Sequence, residues 1–160
     1  MKFIRLPAIM LMLSPMAILI GACHVAGGEK ETQTSFIDKK WQMQKFTVSP
    51  SVDWDLDGKQ DTDIFALLEP CDQDDLLLLR RDGVVIRFAE KKRCDEEEAD
   101  QKEDGTWTLA GNNAKIIFHS DGKKDEAKVL ESSSKKLVLE HRFTSTDGID
   151  HKLTAEYHLK

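Results

Sequence analysis

The feature that most constrains the fold is a two-residue alternation of apolar and polar side chains. Residues 137–143 and 153–159 both alternate in this way, and a Ser-Thr-Asp-Gly turn sequence lies between them at residues 145–148. Successive side chains of a β-strand point to opposite faces, so the pattern predicts two half-buried strands joined as a hairpin. Similar signals predict further strands at residues 41–48, 64–68, 76–80, 84–88, 106–109, 115–119 and 126–131.

These strands, with no amphipathic helix evident between them, predict an all-β fold. Consecutive hairpins favour a small antiparallel up-and-down β-barrel of about eight or nine strands, because closing the sheet removes its exposed edges. A β-sandwich is the alternative that the strand pattern leaves open.

The N-terminus has the composition of an export signal. Lys2 and Arg5 precede an apolar run at residues 6–20, and a Gly-Ala pair then precedes Cys23. This resembles the lipobox of bacterial lipoproteins, in which the cysteine becomes the lipidated N-terminus. We therefore predict a lipoprotein signal peptide at residues 1–22 and an acyl anchor such as palmitate on Cys23.

An uncleaved transmembrane helix and a soluble secreted chain are the alternative interpretations of this segment. From Ile4 to Ala22 the segment contains Arg5, Pro7 and Pro15, and it is shorter than the ~20 clean apolar residues that a span needs. A lipid anchor predicts a protein of the cell envelope, held at a membrane that we expect to be the outer membrane.

Small and charged residues follow the cysteine and predict a flexible tether at residues 23–35, before a domain at residues 36–160. Removing the signal peptide would leave 138 of 160 residues and would change the formal charge from −6 to −8. An acidic surface repels phosphate, so we expect no nucleic acid partner and membrane association through the lipid alone. We expect a monomer.

Residues 95–104 contain seven acids and one lysine. Self-repelling charges of this kind predict a solvated loop, and a docking surface for a basic partner is the alternative.

Cys71 and Cys94 are the cysteines that remain after Cys23. An exported chain meets an oxidising compartment, so an even pair predicts a disulfide. Cys71 lies just before the strand at residues 76–80 and Cys94 just after the strand at residues 84–88, which places the two about equally far along antiparallel neighbours.

A D-x-D-x-D-G-x-x-D sequence at residues 53–61 has the spacing of a metal-binding loop. Calcium takes six to eight oxygen ligands, which alternate carboxylates of a tight loop can supply. The sequence predicts a structural calcium site, with a backbone carbonyl from the lysine, at Asp53, Asp55, Asp57, Lys59 and Asp61. The alternative is an Asx-rich turn without metal, since Ile64 stands where an EF-hand loop has its bidentate glutamate.

An ordered set of motifs resembles the lipocalin-like domain of small Gram-negative envelope lipoproteins. The set comprises Trp41, the Asp-rich loop, Cys71, an Asp-Asp-Leu strand start at residues 74–76, an Arg-Asp-Gly turn at residues 81–83, Cys94 and a Gly-Thr-Trp-Thr-Leu segment at residues 105–109. The resemblance implies a small barrel with a cavity that binds an apolar molecule.

Aromatic side chains that the alternation directs inward would line such a cavity. A packed, cavity-free barrel that serves as a protein-interaction module, such as an inhibitor or envelope-complex subunit, is the alternative. The five histidines have no catalytic spacing, so we expect no enzyme, and His141 is expected to be partly buried and hydrogen bonded. The predicted cavity residues are Trp41, Phe88, Trp107, Phe118, Phe143 and Tyr157.

Overall fold

A computed structural model describes residues 34–160 of the protein. The predicted signal peptide (residues 1–22), the lipidation site Cys23 and most of the predicted tether (residues 23–35) lie outside the described residues and stay predictions. Within residues 34–160, no helix is long and apolar enough to span a bilayer.

Strands account for most of the described chain. Within residues 34–160 there are nine of them: β1 (Lys40–Val52), β2 (Asp61–Asp63), β3 (Leu76–Leu79), β4 (Val84–Phe88), β5 (Gln101–Ala110), β6 (Lys115–Ser120), β7 (Lys123–Ser132), β8 (Lys136–Thr144) and β9 (Asp150–Leu159).

The strands form one antiparallel sheet that closes on itself. Neighbours follow in the order β2-β1-β3-β4-β5-β6-β7-β8-β9, and β1 also pairs with β9 over its length, from Trp41 opposite Leu159 to Ser49 opposite Lys152. Eight strands therefore make a closed barrel, and β2 is an extra strand against β1. The predicted up-and-down barrel is confirmed, and its closure excludes the sandwich.

The chain between β2 and β3 contains two short helices that the alternation does not predict. The strand predicted at residues 64–68 is wrong: Phe65–Leu67 is a 3-10 helix, and α1 (Pro70–Asp74) follows it. Proline suits the first turn of a helix, where its missing N–H has no intrahelical partner to lose. This excursion, residues 64–75, lies against β1, where the Ile64 N–H donates a hydrogen bond to the Phe46 carbonyl at 2.8 Å.

The predicted disulfide is confirmed, but it does not join two strands. Cys71 lies in α1 and Cys94 in the loop between β4 and β5, with their Cα atoms 5.3 Å apart. The same helix and loop are also joined by Asp74, which accepts hydrogen bonds from the backbone N–H groups of Lys91 and Lys92 at 3.2 Å each.

The acidic stretch at residues 95–104 is only partly a loop. Its last residues begin β5, where Glu103 lies opposite Ile86 of β4. Arg87 of β4 forms an ion pair with Asp104 at 2.7 Å, and this opposite charge on the neighbouring strand offsets the repulsion among the acids.

One end of the barrel is closed by a packed apolar core. Phe36 reaches it from the turn that precedes β1 and packs against Trp107, with ring centroids 5.9 Å apart. The indole N–H groups donate hydrogen bonds, that of Trp41 to the Phe36 carbonyl at 2.8 Å and that of Trp107 to the Arg80 carbonyl at 2.9 Å. The N–H group of each buried indole therefore has a hydrogen-bond acceptor within the protein. The rest of this core is aliphatic: Leu79, Val85, Ile116, Ala127, Leu137 and Leu139.

Candidate functional site

The other end of the barrel is hollow. Three adjoining pockets, of about 290, 440 and 360 Å³, meet at the ring of Tyr157, which lines all three. We call them the α1 pocket, the β6 pocket and the rim pocket. Pockets of a few hundred Å³ are the size that takes small organic molecules.

Apolar side chains from many strands make the walls of these pockets. The α1 pocket lies between the inner face of the barrel and the excursion, with Met43, Phe46, Leu68, Leu76 and Leu77 around it. The β6 pocket adds Val85, Phe118 and Leu139, and the rim pocket adds Trp54, Phe143, Leu153 and Ala155.

A β-bulge brings one of these residues into the cavity. The register of β1 against β9 shifts between Met43 and Lys45, so an extra residue interrupts the two-residue alternation. Met43 and Phe46 consequently face the same side, three positions apart.

Aromatic rings form the rim. Trp54 stands edge-on to Phe46 and to Phe143, with ring centroids 6.2 Å away in each case. The indole is 40% exposed, so it faces both the pocket and solvent. The sequence pattern did not predict Trp54 as a cavity residue. It lies in the Asp-rich loop, where no alternation of apolar and polar residues indicates which way a side chain points.

The Tyr157 phenol is the central polar group of the cavity. Burial raises its pKa to about 12, because the phenolate would lose its hydration, while the nearby Arg87 opposes this shift. Within residues 34–160 no side chain or backbone group is hydrogen bonded to the hydroxyl, so its proton is available to a ligand that accepts a hydrogen bond.

The charged residues of the wall are mostly paired with one another. Arg87 is bound to Asp104, and the His141 Nδ1 lies 2.6 Å from Asp125. His141 also stacks on Phe118, with centroids 6.2 Å apart, which fits the partly buried, hydrogen-bonded histidine expected from the sequence.

Asp75 lies between α1 and β3 and differs from the other acids. Burial raises the pKa of its carboxyl to about 6, because desolvation penalises the charged form more than the neighbouring Arg87 favours it.

The predicted cavity residues fall into three groups. Phe118, Phe143 and Tyr157 line the hollow end, whereas Trp41 and Trp107 belong to the packed end. Phe88 does not point inward, because the alternation of β4 places Arg87 on the cavity side. The Phe88 ring instead makes a cation–π contact with the ammonium group of the exposed Lys40, which lies 3.7 Å from the ring centroid. The barrel therefore has a cavity at one end and a packed core at the other, whereas the sequence pattern left a cavity and a packed barrel as alternatives.

His151 is a buried polar residue that sequence reasoning did not single out. Its Nδ1 donates to the Pro50 carbonyl at 2.9 Å, its Nε2 lies 2.9 Å from Ser145 Oγ, and its ring stacks on Phe143 at 4.9 Å. It therefore joins the β8–β9 turn to the end of β1. Continuing the alternation of β9 by one step, from Leu153, would have identified it as inward-facing.

The Asp-rich loop brings together three of the five predicted calcium ligands. Asp53, Asp55 and Asp61 each place one carboxylate oxygen within 4.8 Å of the others. Asp57 is instead bound to the Lys59 ammonium at 2.6 Å, which lowers the pKa of its carboxyl. The Asp53 Oδ1 is buried and has no hydrogen-bond partner within residues 34–160.

We expect calcium to raise the melting temperature of the protein, because three clustered carboxylates repel one another until a cation neutralises them. Asp55→Ala should remove this gain, whereas Asp63→Ala, outside the cluster, should keep it. Thermal unfolding in calcium and in chelator provides the measurement. Equal melting temperatures in the two conditions would exclude the site.

A family model described as lipocalin-like domain matches residues 37–139 of the chain. A comparison with curated protein sequences gave no match.

Solved structures with some similarity include two of bovine odorant binding protein. The complex with a selenium-containing odorant is 12% identical, covers 82% of this chain and 74% of its own, and has a TM-score of 0.43. The complex with undecanal is 12% identical, covers 75% and 68%, and has a TM-score of 0.38.

Proposed function

The chain belongs to the lipocalin-like domain family, and from that premise we propose that it binds and carries a small hydrophobic molecule in the hollow end of its barrel. Members of this family bind small hydrophobic ligands. We further propose that a lipid on Cys23 holds the domain at the cell envelope, where the ligand would be captured or passed on.

The observation that carries the proposal is the division of the barrel into a packed end and a hollow end. Phe36 and the two buried indoles close one end, so a ligand can enter only from the end where the rim aromatics lie. Each methylene that leaves water for such walls contributes about 0.8 kcal/mol, so a chain of several carbons would bind without any ion pair.

A neutral fluorescent probe, N-phenyl-1-naphthylamine, tests the proposal on the purified full chain. We expect saturable fluorescence enhancement, and we expect Ala155→Phe to weaken binding by about a hundredfold, because the new ring occupies the rim pocket that Ala155 lines.

Thr154→Phe is the matched control, since it adds the same ring at the next position of β9, on the opposite face of the sheet. It should leave the dissociation constant unchanged. Failure of the parent protein to bind the probe, or equal affinities in the two variants, would refute the cavity as the binding site.

A further inference from the structure

The α1 pocket contains a carboxylate without a partner. Asp75 lines it together with Met43, Leu76 and Leu77, and within residues 34–160 no group is hydrogen bonded or ion-paired to the Asp75 side chain. An acid in an apolar pocket is costly unless something compensates its charge. Arg87 also lines this pocket, but its guanidinium is bound to Asp104, so Asp75 has no ion-pair partner of its own within residues 34–160.

Both arginines in the cavity walls are already paired with acids of the barrel. The Arg87 guanidinium lies 2.7 Å from Asp104, and Arg142 at the rim is bound to Glu140 at 2.9 Å. Lys123, in the wall of the β6 pocket, is exposed at the start of β7. An anionic ligand would therefore meet an occupied guanidinium and a free carboxylate.

We propose that the cavity selects a cationic amphiphile, with an ammonium group seated at Asp75 and an apolar tail packed along Tyr157. This inference rests on the proposed ligand-binding function and narrows it to one charge class. Charge-assisted hydrogen bonds from an ammonium to a carboxylate are about twice as strong as neutral ones, and the partial burial of Asp75 reduces their screening by water.

The surroundings of Asp75 support this assignment. Asp72 and Asp74 of α1 and Glu98 of the β4–β5 loop add negative potential, and Arg87 is the cation that opposes them. Burial is the largest of the effects that raise the pKa of Asp75 to about 6; the three acids add to it, and Arg87 opposes it. A bound ligand cation would lower the pKa of Asp75 again, because it stabilises the charged carboxylate. The preference for a cationic ligand should therefore be present above about pH 6, the value to which the pKa is raised, and should fade as the pH falls below it.

Three compounds with the same tail separate charge from hydrophobicity: decylamine, 1-decanol and decanoate, each displacing N-phenyl-1-naphthylamine from the purified full chain. At about pH 8 we expect decylamine to bind about tenfold more tightly than 1-decanol, and decanoate more weakly than both. Lowering the pH to about 5 should bring the amine close to the alcohol, because Asp75 becomes neutral while the amine stays charged.

Two variants locate the effect. Asp75→Asn should abolish the preference of the amine over the alcohol, whereas Asp104→Asn, which releases Arg87, should improve decanoate binding and leave Asp75 in place. Decanoate binding as tightly as decylamine to the parent protein, or an unchanged preference in Asp75→Asn, would overturn the inference while leaving the hydrophobic site intact. Displacement by none of the three compounds would overturn the proposed function itself.

Discussion

Gly105→Ala is expected to lower the free energy of unfolding by about 4 kcal/mol, a large share of the 5–15 kcal/mol typical of a domain. Gly105 has a φ of +106°, and a Cβ built there would lie 2.2 Å from the His119 carbonyl oxygen on β6. The register of β5 against β4 shifts at this point, between Val84 and Ile86, so the glycine occupies a bulge. Alanine would meet both an unfavourable backbone conformation and a backbone atom that cannot move away without breaking the β5–β6 pairing.

Gly122→Ala is the control that separates these two costs. Gly122 also has a positive φ, +72°, in the β6–β7 turn, but an added Cβ would have nothing within 4 Å. Its cost should be about 1 kcal/mol, from the conformation alone. Denaturant unfolding of the two variants measures the difference in stability. Equal unfolding midpoints would show that a Cβ at position 105 has no steric cost against β6.

Much of the barrel could be predicted from its sequence because alternation is a local property of each strand. A tight turn between two consecutive strands pairs them as a hairpin, and a series of such hairpins gives the up-and-down strand order. The pairing of β8 with β9 is an example: the alternation over residues 137–143 and 153–159 predicts both strands and their common turn, and Leu139 indeed lies opposite Ala155.

The cavity could be predicted only in part, for two physical reasons. A bulge adds one residue and reverses the faces beyond it, so the rule that identifies Trp41 misses Phe46. In β4 an aromatic side chain was expected inside and a charged one outside, but Arg87 can face the cavity because Asp104 on β5 supplies its counter-charge. That partner lies on the neighbouring strand, two residues beyond Lys102, which is directly opposite Arg87, and it is 17 residues away in sequence.

The excursion between β2 and β3 was predicted least well. Its residues are held by tertiary contacts rather than by a repeating pattern: Ile64, which is fully buried, donates its backbone N–H to the Phe46 carbonyl, and the Gln73 side chain donates to the carbonyls of Phe65 and Leu68. Long-range bonds of this kind leave no periodic signal. The cysteine pair was the one feature here that composition and compartment could identify.

Removing the disulfide should have the second large effect. Cys71→Ala combined with Cys94→Ala is expected to lower the free energy of unfolding by about 3 kcal/mol, because the bridge restricts a segment of 23 residues in the unfolded chain. Reducing agent should shift the unfolding midpoint of the parent protein by the same amount and should leave that of the double variant unchanged. A reductant-sensitive double variant would show that the shift arises elsewhere.

The same bridge should also matter for binding, because it joins the helix that covers the α1 pocket to the loop beyond β4. Leu68 and Asp75, which flank α1, both line that pocket. Without the bridge, the hydrogen bonds of Asp74 to the Lys91 and Lys92 backbone are left to hold the helix. We therefore expect the double variant to bind N-phenyl-1-naphthylamine about fivefold more weakly under conditions where it is fully folded, since binding must then order the helix. Unchanged affinity would mean that packing and the Asp74 hydrogen bonds keep the 70–74 helix in place without the bridge, and that the disulfide acts only on the unfolded chain.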